Sequence, residues 1–179
     1  MINRPMYRPR LWFRLRRLFS DEPSNYDWVT QVGSLRSMYT LFDQCLTEAP
    51  DTQFIFCCVD LNNFRSVNNT YGPEPFGNKV LREVALRLAK FGATFRMGGN
   101  RFGILLPVTA EQGQDYPFAI RKTIEDLRWA DAPSLRLSCR VGSAHYPTEC
   151  RTLDDIIRLS DDRLYAEWLE RKHPNTSTA

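Results

Sequence analysis

Phe95-Arg96-Met97-Gly98-Gly99-Asn100-Arg101-Phe102-Gly103-Ile104-Leu105-Leu106-Pro107 sets two short apolar runs, 93–97 and 102–107, on either side of Gly98-Gly99-Asn100. Glycine and asparagine tolerate positive φ, so the spacing predicts a tight β-hairpin turning on these three residues. Two adjacent glycines also let a ligand phosphate come close to the backbone. An isolated Gly-Gly turn is equally what an ordinary hairpin uses, so its significance rests on the residues around it.

Outward from the hairpin, Val80, Leu81, Val84 and Leu88 recur at helical spacing and predict a helix over 76–90. The apolar run 53–61 reads as a buried strand, and in 135–146 Leu135, Leu137, Cys139 and Val141 alternate with polar residues as a half-buried strand does. Further helices are expected over 27–47, 112–130 and 152–172. This order is that of an α/β (α+β) protein with a sheet covered by helices. There is no internal repeat, and only Pro174 to Ala179 reads as a polar tail.

A chain of 179 residues, 42% hydrophobic and 25% charged, is long enough for one substantial core and needs no second domain. Its five cysteines are an odd number without metal-ligand spacing, and Cys57 and Cys58 are adjacent in the apolar run, which reads as buried, reduced thiols of a cytosolic protein. No run of 18 apolar residues is present, and the basic start is not followed by an uninterrupted signal-peptide core. A cytoplasmic location is expected, with a peripheral place at the inner membrane open to the N-terminal segment.

Gly98-Gly99-Asn100-Arg101-Phe102 resembles the Gly-Gly-Asp/Glu-Glu-Phe signature of GGDEF domains, the diguanylate cyclases that join two GTP molecules into cyclic di-GMP. The upstream stretch from Val59-Asp60-Leu61-Asn62-Asn63-Phe64 to Asn68-Asn69-Thr70-Tyr71-Gly72 is similar to the family's Asp-Ile-Asp-x-Phe-Lys-x-Ile-Asn-Asp-x-x-Gly. Gly77-Asn78-Lys79-Val80-Leu81, then Val84, Ala85 and Leu88, continue the likeness after one inserted residue near Pro73 to Phe76. Asp27-Trp28-Val29-Thr30 looks like the family's opening Asp-x-Leu-Thr, although the segment after it is eroded, and Ser160-Asp161-Asp162-Arg163-Leu164-Tyr165 resembles the family's closing Ala-Asp-x-Ala-Leu-Tyr. The likeness covers about residues 27 to 172. It implies a central, mostly antiparallel sheet of the nucleotidyl-cyclase type.

The same resemblance implies which chemistry has been altered. Cyclisation of GTP needs divalent metal held on carboxylates to neutralise the triphosphate. Asp60 and the Leu61 carbonyl remain, but Asn62 stands at the second acid, Asn100 at the signature acid, and Arg101 puts a cation where the last acid would be. A like charge beside a cation site costs about one to a few kcal/mol even when screened. Trp168 stands in place of a phosphate-contacting lysine and offers no ammonium. No catalytic residue, metal site or cofactor is therefore expected. Asn68 matches the asparagine that contacts guanine and Asn78 replaces the aspartate that does so, leaving a vestigial nucleotide pocket of Asp60, Asn68, Asn78, Gly98, Gly99 and Asn100. Read without the resemblance, Asn68 and Asn69 cap or break a short helix, and Asp60 accepts backbone N–H bonds. The family's product-inhibition motif falls on Ala89-Lys90-Phe91-Gly92, where both of its required residues are absent.

Residues 1 to 20 hold six arginines and no acid, so a net charge of +3 for the chain leaves about −3 for the rest. On a helical wheel Leu11, Trp12, Leu15, Leu18 and Phe19 share one side, Arg14 and Arg17 lie opposite, Arg16 sits at the edge, and Phe13 is out of pattern. With Arg10, this basic amphipathic arm is a candidate contact for a protein groove, an anionic membrane surface or, less favourably, nucleic acid. Its plain alternatives are a helix packed on the domain and a disordered start.

The organisation expected is an arm and joint at 1–25, a degenerate GGDEF domain at 26–173, and a tail at 174–179. The function expected is that of an inactive regulatory protein of cyclic di-GMP signalling that works through its arm. A nucleotide-gated effector, a nucleic-acid-binding regulator and, last, an active diguanylate cyclase are the alternatives. The oligomeric state stays open, because the family's active dimer forms around two substrates.

Overall fold

Phe54–Leu61 forms β2, whose side chains are buried on both faces, so an unbroken apolar run is what this strand requires. The structure, a computed structural model, describes residues 22–107 and 115–172. Around β2 the described elements are β1 (Gly33–Ser34), α1 (Leu35–Glu48), α2 (Phe64–Tyr71), α3 (Asn78–Leu88), β3 (Ala93–Gly98), β4 (Arg101–Pro107), α4 (Tyr116–Glu125), β5 (Cys139–Tyr146) and α5 (Leu153–Lys172). They form one sheet of order β1-β3-β4-β2-β5. Only the short β1–β3 pair is parallel; β3–β4, β4–β2 and β2–β5 are antiparallel. The α/β class and the mostly antiparallel sheet are as the sequence implied.

Alternation along β2 divides the core into two layers. Ile55, Cys57, Val59 and Leu61 pack with Val80, Val84 and Leu88 of α3 and with Ile120 and Ile124 of α4. Phe56 and Cys58 pack with Met38, Leu41 and Phe42 of α1 and with Ile156 and Leu164 of α5. Each such large apolar side chain contributes about 1.5–3 kcal/mol relative to exposure. Cys45, Cys57, Cys58 and Cys139 are buried free thiols, whereas Cys150 is partly exposed. Burial pushes the Cys45 thiol up to about 11, so it stays protonated near neutrality.

Several boundaries differ from those the sequence suggests. The helix expected over 27–47 begins only at Leu35, because Thr30 donates its N–H and hydroxyl to Asp27 Oδ1 at 2.8 and 2.7 Å, closing a turn instead. Gln31 then takes φ 60°, and Gly33–Ser34 pairs with β3 before Ser34 Oγ caps α1 through the Ser37 N–H. Asn68 and Asn69 lie inside α2 and neither cap nor break it. The inserted residue near 73–76 falls in a wide turn closed by Gly77 N–H to Gly72 O at 3.1 Å. The helix expected over 112–130 is described as Tyr116–Glu125, and the strand expected from 135 starts at Cys139, although Leu137 is buried against the α3 and α4 layer.

Helix α5 crosses β5 so closely at Gly142 that a Cβ there would lie 1.9 Å from Ser160 O and 2.8 Å from Leu164 N. Both contacts are backbone and cannot swing aside. Gly142→Ala is therefore expected to lower the unfolding free energy by about 2 kcal/mol or more in denaturant titration, with an unchanged slope. A change below about 0.5 kcal/mol, the scale of an ordinary surface substitution, would contradict this packing.

Candidate functional site

The β2–β4 and β2–β5 registers set Arg101 opposite Asp60 on one side and Arg140 opposite it on the other, so one carboxylate lies between two arginines across three strands. Asp60 and Arg140 side chains are only 16% and 20% exposed, and Arg140 Nη2 donates to Asp60 Oδ2 in a short ion pair. The second oxygen, Oδ1, accepts from Asn100 Nδ2 at 3.0 Å, and the same amide donates to the Leu61 carbonyl at 2.6 Å. With two acceptors facing it, the Asn100 amide presents its NH₂ group. Asn100 O also accepts the Leu61 N–H at 3.3 Å, which closes the hairpin turn over the end of β2.

Arg101 reaches the other way, pairing through Nη2 with Asp161 Oδ1 on α5 and touching Cys58 Sγ at 3.3 Å. Cys58 Sγ donates to the same Asp161 oxygen at 3.3 Å. Burial opposes the Arg101 charge, but Cys58, Asp161 and Asp60 outweigh it and raise its pKa. Burial also pushes the Cys58 thiol up to about 12, so it is no nucleophile near neutral pH. Two acids and two guanidinium groups thus neutralise one another.

The turn itself is braced from behind. Gly98 and Gly99 take φ 139° and 52°, and among the described residues, their chain neighbours aside, no heavy atom lies within 4 Å of where a Cβ would stand on either, so they face open space. Arg96 donates Nε and Nη2 to Gly99 O at 3.0 and 2.7 Å, and Nη1 to Asp27 Oδ1 at 3.0 Å. Burial works against the Asp27 carboxylate, but bonds from Thr30 and Arg96 overcome it and hold its pKa below the usual value.

The remaining expected residues scatter. Asn62 turns away, donating Nδ2 to Ser138 Oγ at 2.9 Å. Asn68 Oδ1 is buried without a partner and sits where a Cβ on Gly77 would meet it at 2.3 Å. Asn78, at the start of α3, donates Nδ2 to Glu74 Oε1 at 3.0 Å. Asp60, Asn100 and the glycine turn are thus brought together. Asn68 and Asn78 form a separate group beside the Gly72–Gly77 turn. The Trp168 side chain and all of the arm, with Arg10, Trp12, Arg14, Leu15, Arg17, Leu18 and Phe19, lie outside the described residues. Arg140 and Asp161 had no assigned role in the sequence reading. Their positions follow from strand register and helix docking, which local sequence does not encode.

A hard divalent cation needs about six oxygen ligands, several of them anionic. Here Asp60 has both oxygens engaged by N–H donors, the Leu61 carbonyl takes the Asn100 amide, and Arg101 lies opposite. This donor set does not fit such an ion.

A five-stranded, mostly antiparallel sheet covered on both faces, with a glycine hairpin over the end of β2, defines a nucleotidyl-cyclase-type domain. The family profile described as diguanylate cyclase, GGDEF domain, matches residues 24–173, and the chain belongs to the GGDEF family. The uncharacterized protein YhcK of Bacillus subtilis (strain 168) is 28% identical over 152 residues, 79% of this chain and 42% of that protein. The probable diguanylate cyclase DgcI of Escherichia coli (strain K12) is 28% identical over 130 residues, 69% of this chain and 27% of that protein. The chain therefore spans less than half the length of these relatives. The crystal structure of diguanylate cyclase SiaD in complex with its activator SiaC from Pseudomonas aeruginosa superimposes with a TM-score of 0.74 and 20% identity, over 88% of this chain and 63% of that one. The family's named members belong to cyclic di-GMP signalling.

The Asp60–Arg140 pair yields a thermodynamic expectation. Asp60→Asn and Arg140→Gln should each destabilise by about 2–4 kcal/mol, because each strands a largely buried charge. The double variant should lose at least about 1 kcal/mol less than the sum, as contacting residues do. Additivity within about 0.5 kcal/mol, measured by denaturant unfolding, would show that the pair is not coupled.

Proposed function

We propose that this GGDEF domain does not cyclise GTP and acts in cyclic di-GMP signalling as a regulatory binding module, with residues 1–20 as its principal contact. The observation that carries the reading is the state of Asp60, whose two carboxylate oxygens are held by Asn100 and Arg140. Cyclisation requires the triphosphate to be neutralised by cations on free carboxylates, and the family acids at the positions of Asn62, Asn100 and Arg101 are replaced here. The basic, apolar-striped sequence of the arm supplies a contact for a protein groove. SiaD, a diguanylate cyclase of this fold, is held in its crystal with an activator protein, which supports protein contact as a mode of action for such domains. Among the described residues no helix is long and apolar enough to cross a membrane. An anionic membrane surface is the arm's second candidate partner and nucleic acid its third.

A second reading is favoured by Asn68, whose buried Oδ1 lacks a donor close to Gly77 and Asn78. In that reading a guanine nucleotide occupies this corner and gates the contact made by the arm. It requires saturable GTP binding that Asn68→Ala weakens about tenfold, the worth of one well-made hydrogen bond to a buried group.

Incubation of the purified chain with GTP and Mg²⁺ should give no cyclic di-GMP above the level of an Asp60→Ala control. Product that depends on Asp60 would overturn the proposed inactivity.

A further inference from the structure

A cleft of about 450 Å³ lies between α3 and the segment that follows α4, and its lining includes Lys79, Arg82, Glu83, Leu86, Arg128 and Trp129. Its charges are unevenly satisfied. Lys79 pairs with Asp131 at 2.6 Å, and Glu83, the carboxylate of the lining, is taken by Arg87 at 2.8 Å. Among the described residues, Arg82 and Arg128 bond to backbone carbonyls: Arg82 Nε to Val29 O at 2.7 Å, and Arg128 Nη1 to Glu125 O at 2.6 Å and Leu127 O at 2.7 Å.

A carbonyl fixes a guanidinium without neutralising it. Among the described residues neither arginine has a carboxylate partner, so each keeps its charge and its remaining N–H donors. Trp129, 5% exposed, contributes to the same wall, and its Nε1–H is buried with no acceptor, a state that few native indoles keep. Two guanidinium groups without carboxylate partners around one cleft are the complement of an anion with several oxygens, while the Trp129 indole N–H belongs to the same wall but is closed off from solvent. Forked N–H groups match phosphate geometry in particular. A space of this size exceeds a single ion and suits a chain of phosphates.

We propose that this cleft binds a phosphate-bearing anion through Arg82 and Arg128. The lining of this cleft shares no residue with the Asp60 site. A free polyphosphate and the phosphate chain of a nucleotide present the same chemistry to it.

The test is a titration of the ¹⁵N-labelled full-length protein with sodium tripolyphosphate and, separately, with ATP, read at the four tryptophan indole signals. The Trp129 signal is assigned by its loss in Trp129→Phe. It should shift and saturate below about 1 mM ligand, with the midpoint raised at least about tenfold in Arg82→Ala/Arg128→Ala, which removes two charge-assisted contacts. Arg158→Ala, on exposed α5, should leave the midpoint unchanged. Equal midpoints for the two ligands assign recognition to the phosphates, and a lower one for ATP adds the nucleoside. If the double variant loses its dispersed spectrum, Arg128→Ala alone carries the comparison. An immobile Trp129 signal while Trp12 shifts would place binding on the arm and overturn the proposal. So would a midpoint indifferent to both arginines, or hexaglutamate acting as well as tripolyphosphate.

Discussion

Asp60 lies next to the end of a strand whose residues are almost all buried, and a carboxylate held there must be answered by donors or give up its charge. The answer comes from both neighbouring strands and from the turn. Arg140 arrives on β5, Asn100 at the tip of the hairpin, and Arg101 on β4 turns toward Asp161 of α5. Each of these contacts also joins two elements of the fold. The hairpin is closed over the end of β2, β5 is fixed in register, and α5 is drawn onto the sheet where Gly142 lets its backbone approach. Charge balance at one residue and the docking of three elements are therefore a single problem, solved with four side chains.

Guanidinium groups neutralise the Asp60 carboxylate differently from the way a metal ion would. A metal ion would organise oxygen atoms around a point and exchange with solvent. An arginine is covalently part of a strand and always charged, so the neutralisation at Asp60 persists whatever the solution holds. The hairpin turns with Gly98 and Gly99 at positive φ and with Arg96 bracing Gly99 O from behind. Arg96 extends that brace to Asp27, and Arg82 adds a bond to Val29 O, so the turn that leads into the N-terminal segment is tied to both the hairpin and α3. A scaffold of this kind holds its entry segment firmly, which suits a domain whose proposed work is to present a contact.

The sequence made the hairpin, β2 and α3 legible because each is decided by local pattern: paired glycines, an unbroken apolar run, and apolar residues at helical spacing. It misled where tertiary contacts override propensity. Residues 27–34 have helical neighbours but are captured by the Asp27 carboxylate and the edge of β3. Leu135 and Leu137 alternate as in a strand, yet pairing with β2 begins at Cys139. That Asn62, Asn100 and Arg101 stand where the family resemblance implies acids could be read from motif positions alone. What took their place could not, because Arg140 becomes Asp60's partner only through the β2–β5 register and Asp161 becomes Arg101's only through the docking of α5.

The central claim is that protein cations, and not a divalent metal, complete the charge at Asp60. Titration of the full-length chain with Mn²⁺, followed by electron paramagnetic resonance of the free ion, tests it without reference to any reaction. The account predicts no saturable uptake up to about 1 mM, the range in which weak carboxylate sites fill. Uptake of one ion per chain that Asp60→Ala abolishes would contradict it.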